Sequence, residues 1–264
     1  MSTPARTRNL DLRDTAPVAY PGLIEDARLF VVVPAFREEH RIARVIATMP
    51  ACVDHIVVVD DASDDRTYEV ARASKDPRVV VLRHATNRGV GAAIVTGYRW
   101  ALGVPGAEWD AFVVMAGDGQ MDPDDLPALA LPIVRRGVGY VKGNRFAETS
   151  SLRVIPRSRY LGGRLFTMLT RAALAVRVDD SQCGYTAISR DACSRLDLAS
   201  LWPRFGYPND LLAMVTRAGV TFVEVPVRPL YPHVSNTLGA RHTPIIAAVI
   251  ARAWWRRVMR GSAR

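Results

Sequence analysis

The feature that most constrains this chain is a fourfold alternation of short valine-rich runs with helix-period segments. LFVVVPAF precedes EEHRIARVIATM, HIVVVDDAS precedes DRTYEVARAS, RVVVLRHA precedes GVGAAIVTGYRWAL, and AFVVMAGD precedes DPDDLPALALPIVRR. Runs that are apolar at consecutive positions suit parallel strands buried on both faces. The alternation therefore predicts an α/β fold, a mostly parallel sheet with helices on both faces. Further along, GYVKGNRF, GYTAISR and TFVEVPVRPL read as strands, and SRYLGGRLFTMLTRAALAV and PNDLLAMVTRAG as helices. Residues 1–27 mix Pro, Thr, Asp and Arg without periodicity and read as a flexible arm, 28–237 as the single α/β domain, and 238–264 as a basic amphipathic helix.

Several functional classes are set aside at once. There is no G-x-x-x-x-G-K-[ST] and no G-x-G-x-x-G after the first strand, so the two commonest nucleotide fingerprints are absent. The three cysteines, Cys52, Cys183 and Cys193, have neither disulfide-framework nor zinc spacing, which fits a reducing cytosol. No run of about 18 apolar residues predicts a membrane span, and the start lacks the apolar core of a signal peptide. The net charge of +9 is a property of the tail, because six arginines and no acid lie between Arg241 and Arg264. Nucleic acid is therefore not an expected partner.

Polar residues collect where the first four strands end: Glu38 and Glu39, then Asp60 and Asp61, then Asn87 and Arg88, then Asp118, Gln120 and Asp122. The carboxyl edge of an open α/β sheet is where such folds bind ligands. Asp65 and Asp122 also suit helix caps. Asp118 stands between two glycines, where no cap requires it and backbone approaches a ligand closely. Carboxylate and amide oxygens there suit Mg²⁺ or Mn²⁺ with coordination sites left for diphosphate oxygens. Arg145, after the next strand, is placed to meet the same diphosphate. The glycines of NRGVGAA, Gly89 and Gly91, fit either a tight turn into a helix or phosphate contact.

The pieces VVVPAFREE, IVVVDDASDDRT, NRGVGAA, GDGQMDPDDL, KGNRF and DSQCGYTAISR, in that order over roughly residues 29–190, resemble the inverting GT-A glycosyltransferases, especially the family of dolichol-phosphate mannose synthase and related polyprenyl-phosphate enzymes. The resemblance implies that Pro34, Phe36, Glu38, Asp61, Arg88 and Gly89 hold the nucleotide sugar, Asp118 and Gln120 the metal, and Arg145 the phosphates. Asp180 matches the family's acidic residue beside the acceptor. Arg159, Arg228 and Ser235 match its acceptor or lipid-phosphate side, the last two only loosely, through VRPLYPHVSNT. Ala116 stands where the family's D-x-D-x-Q motif has its first Asp, and Asp122 is a candidate substitute.

The implied activity is transfer of a hexose, mannose or glucose, from a GDP- or UDP-linked donor to polyprenyl phosphate with inversion. A lipid phosphate is already anionic, whereas an alcohol acceptor would need Asp180 as base. The last segment gives independent support for a lipid. At helical spacing Ala247, Ile250, Ala251, Trp254, Trp255, Val258 and Met259 share one half, and Arg252, Arg256, Arg257 and Arg260 the other, the composition of a helix lying in a membrane interface. A peripheral enzyme at the cytoplasmic face of the cell membrane is expected, with oligomeric state open. Alternatives are the same donor chemistry on a soluble or cell-envelope hydroxyl, and a non-catalytic nucleotide-sugar-binding protein.

Overall fold

A computed structural model describes residues 27–230 and 243–261. Seven strands, β1 (Leu29–Ala35), β2 (His55–Asp60), β3 (Val79–Arg83), β4 (Ala111–Val114), β5 (Tyr140–Asn144), β6 (Thr186–Ser189) and β7 (Phe222–Pro226), form one sheet in the order β3-β2-β1-β4-β6-β5-β7. All pairings are parallel except those of β6, which is antiparallel to β4 and β5. The valine-rich runs are the central strands, and every residue of β1 and β4 is buried. The strand order reverses between β1 and β4, so a crevice opens beyond their carboxyl ends.

Helices α1 (Ile42–Ala47), α2 (Thr67–Arg72), α3 (Val90–Gly103), α4 (Leu126–Arg136), α5 (Thr149–Val154), α6 (Arg157–Leu174), α7 (Arg190–Ser194), α8 (Tyr207–Arg217) and α9 (Thr243–Gly261) cover both faces. Alternate residues of β1 feed two cores. Val31 and Val33 pack with Ile42, Val45 and Leu129 on one face, and Phe30 and Val32 with Ile94, Tyr98 and Leu211 on the other. Among the described residues no helix is long and apolar enough to cross a membrane.

The terminal helix α9 departs from the expected arrangement. Ile246, Val249, Ile250 and Ala253 are buried, with Ile246 and Ile250 against α6. Ile250, expected on the outward half with the tryptophans, is therefore turned inward. Three arginines also turn to the protein. Arg252 donates to Ser200 O (3.0 Å), Arg257 to Ala173 O (3.0 Å), and Arg256 lies 4.0 Å from Asp210. For Arg257 the partner is the end of α6, whose last carbonyls lack helical partners and present the negative end of the helix dipole. α9 also exposes a large apolar group outward: Trp254, Trp255, Val258 and Met259.

Candidate active site

The exits of β1 and β2 form a strained, tightly bonded rim. Two non-glycine residues there, Arg37 (φ 60°) and Ala62 (φ 59°), occupy the left-handed region. Arg37 N–H donates to Ser63 Oγ (3.0 Å) and Glu38 N–H to Thr67 Oγ1 (2.7 Å), which ties the first loop to the second. Pro34 is buried at the end of β1, while the Phe36 ring is 40% exposed. Glu38 is half-buried and pairs with Arg41 at 2.8 Å. Burial pushes its carboxyl above the usual range despite that pairing.

Asp61 is more heavily engaged than its place in the sequence foretells. Its Oδ1 accepts Arg88 N–H (2.8 Å) and lies 2.7 Å from His84 Nδ1, and its Oδ2 accepts Gly89 N–H (2.7 Å). His84 Nε2 continues to Thr96 Oγ1 at 2.8 Å. Asp61 thus fastens the loop before α3, with Arg88 exposed on its outer side. The glycines of that loop answer a packing demand. Gly89 has φ 96°, and a Cβ on Gly91 would stand 2.2 Å from Trp202 O. The 202–204 segment lies directly against them, and Ala92 N–H donates to Pro203 O.

At the exit of β4, Gly117 N–H donates to Pro34 O (3.1 Å), placing Asp118 beside the β1 rim. Asp118 Oδ1 accepts Gln120 N–H (3.0 Å), and among the described residues the carboxylate has no ion-pair partner. Desolvation chiefly, opposed by Arg41 and Arg159, raises its carboxyl above the ordinary range. Gln120 Oε1 receives Arg159 Nη1 at 3.4 Å. Asp122 is committed elsewhere. It accepts Asp124 N–H (3.0 Å) as an N-cap and lies 3.3 Å from Arg228 Nη2. Arg228 is equally committed, donating from Nε to Asp125 Oδ1 (3.1 Å) and from its N–H to Oδ2 (2.6 Å). Its segment lies along the loop, with Leu230 N–H on Gln120 O (2.9 Å).

Among the described residues no three His, Cys, Asp or Glu side chains gather as a metal cage. The donor set is one partly desolvated carboxylate without an ion-pair partner among the described residues, and one amide. That set fits Mg²⁺ or Mn²⁺ of the kind completed by substrate phosphates.

The exit of β5 and the turn that enters the antiparallel β6 carry the other half of the site. Asp180 is fully buried and accepts three bonds from Arg145: from N–H (3.1 Å), Nε (2.7 Å) and Nη2 (2.9 Å). Gln182 N–H adds a fourth at 3.3 Å. Arg145 and Lys142 oppose the desolvation and hold the Asp180 carboxyl below its ordinary range. Tyr185 Oη donates to Asp122 O (2.8 Å), linking this half to the Asp118 loop. The candidates named from sequence, Pro34, Phe36, Glu38, Asp61, Arg88, Gly89, Asp118, Gln120, Arg145, Arg159, Asp180 and Arg228, therefore fall at one edge of the sheet. Ser235 lies outside the described residues. Sequence reasoning missed His84, whose only signal is its position just after β3, and the 202–204 segment, which carries none.

A family model described as glycosyl transferase family 2 matches residues 30–197. The undecaprenyl-phosphate mannosyltransferase of Micrococcus luteus is 30% identical over 205 residues, 76% of this chain and 82% of that one. The UDP-N-acetylglucosamine–dolichyl-phosphate N-acetylglucosaminyltransferase of Methanococcus voltae is 27% identical over 229 residues, 81% of this chain and 90% of that one. Glucosyl-3-phosphoglycerate synthase of Mycobacterium tuberculosis, solved with Mn²⁺, UDP and glucosyl-3-phosphoglycerate, superposes with a TM-score of 0.65 at 22% identity, covering 86% of this chain and 80% of that one. The shared fold is GT-A.

Proposed function

Because the chain belongs to glycosyl transferase family 2, we propose that it transfers a hexose, mannose or glucose, from a GDP- or UDP-linked donor to polyprenyl phosphate with inversion at the anomeric carbon. One observation carries the choice of acceptor. The Asp180 carboxylate is fully buried, held ionised by Arg145 and filled by four N–H donors. A carboxylate so satisfied is a poor base for an alcohol. A phosphate acceptor brings its own negative charge and needs none. The two relatives described above are both named for polyprenyl-phosphate acceptors, and their sugars differ.

In this reading Phe36 and Glu38 contact the nucleoside, and Asp61 acts by holding the loop of Arg88 and Gly89 against it. Asp118 and Gln120 would hold Mg²⁺ or Mn²⁺, which when bound supplies positive charge to the leaving diphosphate. Arg145, kept in place by Asp180, stabilises the same developing charge from the β5 side. Arg159, beside Gln120, takes the acceptor phosphate. Arg228 braces the loop through Asp122 and Asp125 instead of meeting the acceptor.

The outward faces of two packed helices support attachment to the inner face of the cell membrane. α6 exposes Leu161, Leu165, Met168 and Leu169, and α9 exposes Trp254, Trp255, Val258 and Met259. Neither helix contains an acidic residue. Large apolar faces flanked by basic residues fit a lipid interface.

The acceptor assignment is tested by offering undecaprenyl phosphate and undecaprenol in parallel with labelled GDP-mannose or UDP-glucose. Product from the phosphate alone is expected. A glycoside formed from the alcohol at a comparable rate would overturn it.

A further inference from the structure

Behind the Asp180–Arg145 pair lies a buried charged layer that the transfer chemistry does not use directly. β5 runs between β6 and β7, and Lys142 stands in register with Thr186 on one side and Glu224 on the other. Register partners project to the same face of a sheet, so these side chains rise together beneath the 179–183 turn. Glu224 grips one end of that turn, its carboxylate accepting Asp179 N–H at 2.6 Å and Asp180 N–H at 2.9 Å. Lys142, fully buried, grips the other end through Nζ to Cys183 O at 2.6 Å. Arg145 leaves the same strand three residues after Lys142, so β5 supplies both a prop for the turn and the partner of its carboxylate.

We propose that Glu224 and Lys142 are positioning residues which fix the 179–183 turn, and through it the Asp180–Arg145 pair, in the geometry that transfer requires. The proposal rests on the assignment of that pair to the reaction. Two considerations favour positioning over simple cohesion. Taking an ammonium wholly and a carboxylate partly out of water is costly before pairing, whereas apolar residues of similar size would join β5 to β7 without that cost. The chain also strongly prefers arginine, with Lys75 and Lys142 its only lysines among 35 basic residues. A compact ammonium serves a single carbonyl where a planar guanidinium needs space for its fork.

The test uses Glu224→Gln and Lys142→Met, each alone and combined with Asp180→Asn. Initial rates are measured with undecaprenyl phosphate and whichever of GDP-mannose and UDP-glucose supports transfer, alongside thermal unfolding. Displacing a reacting group by about 1 Å costs up to about a hundredfold. Glu224→Gln and Lys142→Met are therefore each expected to lower kcat by about tenfold or more, with donor KM within about twofold of wild type. Each double variant should be no slower than Asp180→Asn alone, because the props act only through that turn. If one single variant fails to fold, the other acts at the opposite end of the turn and carries the test. Loss of melting temperature with kcat retained per folded molecule would overturn the proposal, as would losses that multiply with that of Asp180→Asn. Should Asp180→Asn alone keep full turnover, the assignment of the pair fails first and the proposal with it.

Discussion

Replacing Asp118 by asparagine is expected to stabilise the ligand-free protein while abolishing transfer. The carboxylate is half-buried, accepts Gln120 N–H at 3.0 Å, and has no ion-pair partner among the described residues. Its carboxyl is raised chiefly by desolvation. An acid raised on folding costs stability that is absent below its unfolded value and grows as the pH rises through its folded value. Replacing a partly desolvated carboxylate that no ion pair compensates by a neutral amide gains on the order of 1 kcal/mol. At this chain length that raises the melting temperature by about 2–4 °C. Asparagine keeps the oxygen that accepts Gln120 N–H, so the loop survives the change. Thermal unfolding at pH 7 and near pH 4, with and without Mn²⁺ and UDP or GDP, reads each element of this argument. The variant should be the more stable protein at pH 7, the gap should narrow toward pH 4, and the stabilisation by Mn²⁺ with nucleotide should disappear. A variant less stable at pH 7, or one that keeps both turnover and the Mn²⁺-dependent shift, would refute the reasoning.

Three further outcomes follow from local structure. Ala62 sits at φ 59°, a conformation costing a non-glycine residue roughly 1–2 kcal/mol, partly offset in glycine by its greater unfolded entropy; Ala62→Gly should gain about 0.5–1 kcal/mol by urea unfolding, and a loss would contradict the strain. Glu224, facing Lys142, Asp179 and Asp180, is pushed by burial to about 7. Between pH 4.5 and 7 the folded state keeps a proton that the unfolded state releases, so stability should fall as pH rises through that window, by an amount on the order of 3 kcal/mol. Urea unfolding of Glu224→Gln should lack this slope, and equal slopes would remove Glu224 as its source. Trp254→Ser with Trp255→Ser should weaken sedimentation with liposomes. Because Arg252 and Arg257 bond the protein's own carbonyls, raising the salt should matter less than losing the tryptophans; a purely salt-sensitive attachment would count against the apolar face.

Much of the fold is legible in sequence because its signals are local. A buried parallel strand must be apolar at successive positions, and VVV runs at β1, β2 and β3 meet that demand without long-range knowledge. The reversed direction of β6 is not local, since TAIS reads alike either way and only its pairing with β4 and β5 decides it. At the site, Asp118 stands out because two glycines leave no cap to explain it. The engagements of Asp61, Asp122 and Arg228 depend on residues as distant in sequence as Asp125 is from Arg228. No spacing rule reveals that a carboxylate is already satisfied. The arginines of α9 illustrate the same limit, as helical periodicity assigns them to one half, but partners far away in sequence, Ser200 O for Arg252, Asp210 for Arg256 and the carbonyls ending α6 for Arg257, turn them to the protein.

The central claim, hexose transfer to a lipid phosphate, is tested most directly by incubating the protein with undecaprenyl phosphate, Mn²⁺ and a panel of labelled GDP- and UDP-sugars, then extracting into organic solvent. Label from one mannose or glucose donor is expected in the organic phase, dependent on both metal and lipid phosphate and lost with Asp118→Asn. A soluble glycoside with no label in the organic phase would contradict it.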